Sequence, residues 1–301
     1  MLRVFTAFSG YDSQCLALRE IANAYDCGFR WELVGWSEID KYAIRAHNAL
    51  FPQWASRNYG DISKIDWNTV PDFNLFTYSS PCQDFSQAGK QRGAAKGSGT
   101  RSSLLWECER AIEIKRPKYL LFENVAAVVS KKFIRLFNEW QLTLERLGYT
   151  NYTQVLNAKT HGYPTPVPQN RKRVFMVSIL DCDKPFYFPK PQTLTQRLAD
   201  ILEPEVDESY YLSDSRINGL IASTEKNTKK GCGFGFAPKD NTDIVNSILT
   251  LPANRKTDNF VKVAANLHDG QNGTAFNPNG IAPTICASEG VKTNIKILDE
   301  I

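Results

Sequence analysis

Apolar and polar positions along the first 180 residues follow two alternating patterns. Short apolar runs, typical of buried strands, are followed by longer stretches in which apolar residues recur at helical spacing. The alternation predicts an α/β domain with a mostly parallel sheet. The predicted strands are residues 2–8, 31–37, 73–78, 118–122 and 173–180, and the predicted helices are residues 15–25, 41–50, 103–114 and 132–147.

The chain changes character after about residue 181. Residues 182–192 are rich in proline and aromatic side chains and predict a linker. The remainder is rich in Asn, Gly and Thr, and its one good helix candidate spans residues 194–202. We therefore predict two domains, an α/β domain of residues 1–182 and a small, loop-rich region of residues 183–301.

Composition narrows the class of protein. The 301 residues are 42% hydrophobic and 23% charged, which is ordinary for a globular protein, and no apolar run reaches the ~20 residues that span a bilayer. The net charge of +4 permits a polyanionic partner without requiring one. Seven cysteines with no CxxC pair, and only three histidines, argue against a zinc cluster. The opening residues predict a strand and not a signal peptide, so we expect reduced thiols in the cytoplasm.

Polar residues follow the predicted strands at their carboxyl ends. In parallel sheets these ends meet at one edge, where ligands bind. Three segments there contain candidate catalytic residues. Cys82 lies in a predicted polar loop after one apolar strand, Glu123 and Asn124 follow a second apolar strand, and the third segment is residues 169–173. Cys82 has the exposure a nucleophile needs, Glu123 suits acid chemistry, and strand alternation places Gln169, Arg171 and Arg173 on one face. Each has a plainer interpretation: a buried thiol, a helix-start acid, or a solvated basic edge.

In this order, the segments resemble the cytosine-5 DNA methyltransferase family over about residues 3–180. Residues 81–89 (PCQDFSQAG) resemble its nucleophile loop, and residues 123–125 (ENV) its Glu-Asn-Val motif. Residues 169–173 resemble its Gln-x-Arg-x-Arg motif. Residues 8–10 (FSG), Glu38, residues 60–61 (GD) and residues 99–106 are similar to its cofactor-side segments. The resemblance implies a Rossmann-like methyltransferase domain followed by a target-recognition region.

The resemblance also implies a reaction: transfer of a methyl group from S-adenosyl-L-methionine to carbon 5 of cytosine in duplex DNA. Cys82 would attack carbon 6 of a flipped-out base, Glu123 would act at ring N3, and Arg173, supported by Arg171, would hold O2. No metal is implied. The implied DNA contacts are Ser86, Gln91, Arg92 and Gln169. The implied cofactor contacts are Phe8, Ser9, Gly10, Tyr11, Glu38, Ile39, Asp61, Ile62, Pro81 and Leu104.

Two features depart from the family pattern. The first loop carries Tyr11, Asp12 and Ser13 where the family usually has further glycines. The family's last motifs are not found after residues 281–288, which resemble the stretch before them. We therefore expect weak cofactor binding by this chain alone, and a second polypeptide that supplies the missing motifs. The identity of the proton-abstracting base and the DNA target sequence do not follow from the sequence.

Three other functions compete with this interpretation. The same core occurs in a branch of the family that methylates a transfer-RNA cytosine, although the second region favours DNA. A catalytically silent subunit or DNA-binding module is a second alternative, against which Cys82, Glu123, Arg171 and Arg173 argue. A nicotinamide-dependent Rossmann enzyme is the third, and the absence of GxGxxG after the first strand counts against it.

Overall fold

The computed structural model divides the chain into two compact units. The first unit comprises Met1–Leu156 and Lys172–Phe188, and the second comprises Asn157–Arg171 and Pro189–Ile301. One boundary, between Phe188 and Pro189, falls inside the predicted linker at 182–192, whereas Asn157–Arg171 lies within the predicted first domain. The assignment of catalysis and target recognition to domains 1–182 and 183–301 stays a prediction. The structure describes residues 1–24, 28–80, 101–162, 164–197, 200, 212–229, 235–239, 243–246, 260, 265–266 and 274–275.

The first unit is built on a six-stranded sheet with the strand order β2-β1-β3-β4-β7-β5. Strands β1 to β4 pair in parallel, and β7 runs antiparallel to β4, so the predicted mostly parallel sheet is confirmed. The strands are β1 (Leu2–Ala7), β2 (Trp31–Ser37), β3 (Leu75–Tyr78), β4 (Tyr119–Val125), β5 (Tyr149–Asn157) and β7 (Lys172–Leu180). The helices of this unit are α1 (Ser13–Ala24), α2 (Lys41–Leu50), α3 (Glu107–Lys115) and α4 (Ile134–Arg146).

Apolar side chains cover both faces of the sheet, because successive residues of a strand point to opposite sides. On one face, Val4 and Leu33 pack in a core with Cys15 of α1 and Phe51, which follows α2. On the other face, alternate residues of the same strands join a larger core to which α3 and α4 contribute buried side chains. The first unit is therefore a three-layer helix–sheet–helix structure.

The carboxyl ends of the parallel strands lie in one row across the sheet. Ala7 at the end of β1 is opposite both Ser37 of β2 and Tyr78 of β3, and Tyr78 is in turn opposite Phe122 of β4. The residues that follow Ala7, Ser37 and Tyr78 therefore leave the sheet at the same edge, where β4 continues to Val125 beside β7. This edge carries the polar segments that the sequence singled out.

A bulge separates the two halves of the β1–β2 pairing, since Val4 pairs with Leu33 and Phe5 pairs with Gly35. Gly35 is needed at this bend, because a Cβ there would lie 2.7 Å from the rings of both Phe5 and Tyr59. The aromatic rings therefore pack directly on the strand backbone.

Unit two contributes short strands and one long helix. Strand β6 (Gln169–Asn170) pairs in parallel with β8 (Val245–Asn246), and β9 (Ala265–Asn266) pairs with β10 (Thr274–Ala275). Helix α5 (Asp214–Thr228) begins at Ser213, whose hydroxyl accepts the N–H of Arg216.

Residues 194–197 of the helix predicted at 194–202 carry no helix, residue 200 is in 3₁₀ conformation, and the other residues of that prediction lie outside the described part of the chain. Helix α5 was not predicted. Helix α5 contains Gly219 and has an irregular apolar stripe, so helical periodicity was a weak signal there.

Candidate active site

The loop between β1 and α1 has an unusual backbone. Phe8, Gly10 and Asp12 all have positive φ angles, of 55°, 58° and 68°. The left-handed conformation costs an ordinary residue about 1 kcal/mol or more, but Asp tolerates it better than most. The N–H of Asp12 donates to the carbonyl of Ser9 at 2.8 Å, which closes the loop on itself.

Glu38 ties this loop to the end of β2. One carboxylate oxygen accepts the N–H of Gly10 at 2.9 Å, and the other accepts the N–H groups of Ile39 and Asp40 at 2.7 and 2.8 Å. Three charge-assisted bonds from the backbone fix the carboxylate in one orientation. The predicted cofactor residues Gly10, Glu38 and Ile39 are thus brought together by the fold.

The segment after residue 57 joins the same edge. The Asn58 side chain accepts the N–H of Glu38 at 3.2 Å and that of Gly60 at 2.9 Å. The Asp61 carboxylate accepts the Ser63 hydroxyl and N–H at 2.8 and 3.0 Å, and these bonds lower the pKa of Asp61. The side chain of Ile62, by contrast, is buried in the core.

This edge offers both polar and apolar groups to a bound molecule. The hydroxyl of Ser9 is buried and finds no hydrogen-bond partner within the described structure. A Cβ added at Gly10 would have no neighbour within 4 Å. Tyr11 and Ile39 are 52% and 71% exposed. A nucleoside with hydroxyl groups and an aromatic base fits these residues. Leu104 lies in a short 3₁₀ helix, Arg101–Trp106, that leads into α3.

Glu123 and Arg173 form an ion pair between β4 and β7. Arg173 Nε lies 3.0 Å from Glu123 Oε1, and the two side chains are only 26% and 21% exposed for Glu123 and Arg173 respectively. The antiparallel register sets this contact, because Arg173 is opposite Val125 and Phe175 is opposite Glu123, which makes the pair diagonal neighbours on one face. Glu123 was predicted to follow the strand, but it lies inside β4, which continues to Val125.

Asn124 points to the opposite face of β4 and is buried. Its amide donates to the carbonyl of Ser80 at 3.1 Å and its oxygen accepts the N–H of Val125 at 2.9 Å. Ser80 is two residues before Cys82, so Asn124 anchors the base of the predicted nucleophile loop. Sequence reasoning noted Asn124 only as part of a motif. Pro81, Cys82, Ser86, Gln91 and Arg92 lie outside the described residues.

The predicted single face of Gln169, Arg171 and Arg173 was wrong. Gln169 belongs to β6 of the second unit, Arg171 lies between strands, and Arg173 belongs to β7 of the first. Asn157 interrupts the alternation, because its side-chain oxygen accepts the N–H of Arg171 at 3.1 Å. Only Arg173 is thereby placed beside Glu123.

A buried polar pair that sequence reasoning missed lies beneath the β1–α1 loop. Asp12 and His47 have no exposed side-chain surface, and Asp12 Oδ2 is 3.6 Å from His47 Nε2. The sequence carried one sign of this pair: Asp12 stands in the first loop where the family that the chain resembles usually has glycine. Its partner is 35 positions away, so no local pattern revealed the contact.

Neither a membrane-spanning helix nor a metal-binding cluster is present among the described residues. No helix among them is long and apolar enough to cross a membrane. Within that same part of the chain, no group of three or more His, Cys, Asp or Glu side chains is arranged to hold a metal ion.

Comparison with known proteins identifies the family of the chain. The family model for C-5 cytosine-specific DNA methylase matches residues 2–298. Type II methyltransferase M2.ScrFI of Lactococcus lactis subsp. cremoris is 39% identical over 72% of this chain and 72% of its own length. Orphan methyltransferase M.SPRI of Bacillus phage SPR is 30% identical over 98% of this chain and 66% of its own length.

Solved structures support the fold. The Dnmt2 methyltransferase of S. pombe superposes with a TM-score of 0.53 at 22% identity, over 72% of this chain and 64% of that one. The Entamoeba histolytica methyltransferase EhMeth gives a TM-score of 0.54 at 16% identity, over 93% of this chain and 84% of that one. With a family model that covers nearly its whole length, this chain belongs to the C-5 cytosine-specific DNA methylases, a family of methyltransferases.

Proposed function

We propose that this chain transfers a methyl group from S-adenosyl-L-methionine to carbon 5 of cytosine in a specific sequence of duplex DNA. The observation that carries the proposal is the Glu123–Arg173 pair, held 3.0 Å apart at the sheet edge where Asn124 also fixes Ser80. Glu123 and Arg173 supply an acid and a cation, and Asn124, the residue after Glu123, binds Ser80, two positions before Cys82 in the sequence. The family to which the chain belongs supports the same reaction.

The cofactor would be held at the β1–β2 side of this edge. Glu38 presents a carboxylate suited to ribose hydroxyls, Ser9 offers an unused hydroxyl, and Ile39 and Tyr11 offer exposed apolar surface. When bound, S-adenosyl-L-methionine supplies the electrophilic methyl group. Asp61 and Ile62 would contact its base through the turn that follows Gly60.

The chain's own residues would make the cytosine reactive. The Cys82 thiolate forms a bond to carbon 6, and the electron pair of the carbon 5–carbon 6 double bond moves into the ring. Arg173 donates to O2 and Glu123 shares the proton at N3, so both stabilise the charge that develops. The pair holds a cation and an acid side by side, and O2 and N3 are neighbouring atoms on one edge of cytosine, so Arg173 and Glu123 would address both atoms. Carbon 5 would then take the methyl group as the bond between that methyl and the cofactor sulfur breaks. A base would remove the carbon 5 proton, and the carbon 5–carbon 6 double bond would re-form as the Cys82 thiolate leaves.

DNA would be the partner of the remaining candidate residues. The base must leave the helical stack to reach Cys82, which costs a few kcal/mol. We assign Ser86, Gln91, Arg92 and Gln169 to contacts with DNA, with Arg171 in support. The second unit would contain the target-recognition region.

Covalent trapping tests this function. The purified chain is incubated with S-adenosyl-L-methionine and duplex DNA in which 5-fluorocytosine replaces cytosine, because fluorine is not eliminated as a proton is. We expect a denaturant-stable protein–DNA adduct that requires the cofactor. Cys82→Ser abolishes it, whereas Cys182→Ser, a change at a partly exposed cysteine of the first unit, keeps it. An adduct formed by Cys82→Ser would refute the assignment of the nucleophile. Transfer to transfer RNA and not to DNA would refute the substrate.

A further inference from the structure

The carboxylate of Asp12 has three neighbours within the first unit: Thr6, Cys15 and His47. Its Oδ2 accepts the Thr6 hydroxyl at 2.8 Å, and its Oδ1 accepts the N–H of Cys15 at 3.2 Å, which caps the start of α1. Its own N–H donates to the carbonyl of Ser9. The third neighbour of the carboxylate is His47 of α2. One residue thus joins β1, α1, α2 and the loop that begins at Phe8.

His47 has a fixed position and unsatisfied nitrogens. Its ring stacks on Trp36 with centroids 3.7 Å apart and an interplanar angle of 17°, and it also contacts the ring of Phe51. Neither ring nitrogen has a hydrogen-bond partner within 3.5 Å among the residues that the structure describes. Nε2 lies 3.6 Å from the Asp12 carboxylate, only a few tenths of an ångström beyond hydrogen-bond distance. A buried ring nitrogen without a hydrogen bond destabilises the folded state. A small movement of either side chain would bring Nε2 within hydrogen-bond distance of the Asp12 carboxylate.

Other titratable and charged groups around the pair do not replace this contact. The thiol of Cys15 faces Asp12 from α1, and burial together with the Asp12 charge raises its pKa, so it stays neutral. The guanidinium of Arg19, also on α1, lies 5.3 Å above the ring of Phe51. From β1 the neighbour is the Thr6 hydroxyl, and from β2 it is the uncharged ring of Trp36.

We propose that Asp12 and His47 are a buried positioning pair for the cofactor loop. The pair holds the left-handed turn at Asp12, and the hydrogen bond from Asp12 to Ser9 transmits that position to the backbone of residues 9–11. At a loop position where the family usually has glycine, this chain gains rigidity from a side chain. We expect cofactor binding at residues 9–11 to shorten the Asp12–His47 distance, because Asp12 is hydrogen-bonded to Ser9. This inference rests on the proposed function, because it concerns the same cofactor.

Calorimetry on the full chain tests the pair. Asp12→Asn keeps the size of the side chain and its tolerance for positive φ, and His47→Phe keeps the stacking on Trp36 while it removes both ring nitrogens. We expect each variant to bind S-adenosyl-L-methionine about tenfold more weakly, as for loss of one charged hydrogen bond. The double variant should lose no more than Asp12→Asn alone. The turnover rate at saturating cofactor should change less than about threefold in each, since neither residue contacts the reacting atoms.

A matched control is His161→Phe, which removes a histidine of the second unit whose Nδ1 contacts Thr160. It should leave cofactor affinity unchanged. Independent losses in Asp12→Asn and His47→Phe, which multiply in the double variant, would overturn the pairing, as would wild-type affinity in both single variants.

A measurement on the unaltered chain covers the case in which a variant does not fold. With ¹⁵N-labelled histidine, the Nε2 resonance of His47 should shift on saturation with the cofactor, while that of His161 should not. An unchanged His47 signal in a chain that binds the cofactor would overturn the inference. A chain that shows no cofactor binding would instead refute the proposed function, so the two failures are distinguishable.

Discussion

The two sides of the sheet edge hold their carboxylates in different ways. On the β1–β2 side, Glu38 is held by three backbone N–H groups, and Asp61 by an N–H and a hydroxyl two residues away. On the β4–β7 side, Glu123 is held by the side chain of Arg173. A backbone donor cannot swing away, whereas a guanidinium can change partner. The first arrangement suits a ligand recognised in one pose, and the second suits a group whose partners change during a reaction.

The largest expected effect is that of a substitution at Glu123, which tests the difference between the two sides directly. Glu123→Gln keeps the shape of the side chain but removes the acid, so we expect methyl transfer to DNA to fall about 10²-fold or more. Cofactor affinity should stay within about twofold, because the β1–β2 side is untouched. Single-turnover transfer of a labelled methyl group, with calorimetry alongside, measures both quantities. An equal loss of binding and turnover would instead indicate that Glu123 only supports the strand.

Glu38→Gln should do the reverse. The amide keeps one acceptor oxygen but loses the charge that three N–H groups share, so cofactor affinity should fall about tenfold. Turnover at saturating cofactor should change less than about twofold, since Glu38 does not contact the cytosine. The same two assays check this. If turnover at saturating cofactor fell as far as affinity, the assignment of cofactor binding to the β1–β2 side and of catalysis to the β4–β7 side would be wrong.

Asn124 tests whether the catalytic side also depends on fixed backbone contacts. Asn124→Ala leaves the Ser80 carbonyl and the Val125 N–H without their side-chain partner, and should cost about 1–3 kcal/mol of folding free energy. Urea unfolding of the chain gives the value. The control is Asn68→Ala, an exposed position whose loss should stay within about 0.5 kcal/mol. Equal stability of the two variants would mean that Asn124 does not anchor Ser80.

The smallest expected effect concerns Asp61. Its pKa is lowered in the folded chain by the bonds from Ser63, so the folded state favours the carboxylate. The resulting stability is present above the unfolded pKa of about 3.8 and is lost as the pH falls through the lowered folded value. Because the side chain is 36% exposed, Asp61→Asn should cost less than about 1 kcal/mol at pH 7. Thermal unfolding between pH 7 and pH 3 should show this cost shrinking with acid, and a cost that grows would contradict the sign.

The sequence predicted correctly those elements whose signals, such as an apolar run or a helix cap, lie within one short segment. Strand β2 and helix α2 lie at residues 31–37 and 41–50 as predicted, because an apolar run is followed by Asp40, whose carboxylate caps the helix at Tyr42 and Ala43. Both depend on neighbours in sequence. The β1–α1 loop and Glu38 were likewise placed at the right edge, because they follow the ends of β1 and β2. Residues 60–61 follow a 3₁₀ helix instead and reach this edge through the contacts of Asn58.

Features set by distant partners were not predictable in the same way. The end of β4 extends through Glu123 because β7 pairs with it, and β7 is some 50 residues later in the chain. Arg171 falls between strands because Asn157, from the end of β5, binds its N–H. The Asp12–His47 contact depends on how α2 packs against the sheet. No periodicity within one segment encodes such contacts.

The β4–β7 pairing has a consequence for the order in which the protein assembles. Glu123 and Arg173 are joined across a chain segment that includes Asn157–Arg171, which belongs to the second unit. Closing such a long loop is slow compared with the formation of α1 or α2, whose contacts are local. A nascent chain that has emerged only through β4 therefore carries the acid without its cation. The acid and its cation are brought together only when β7 docks beside β4.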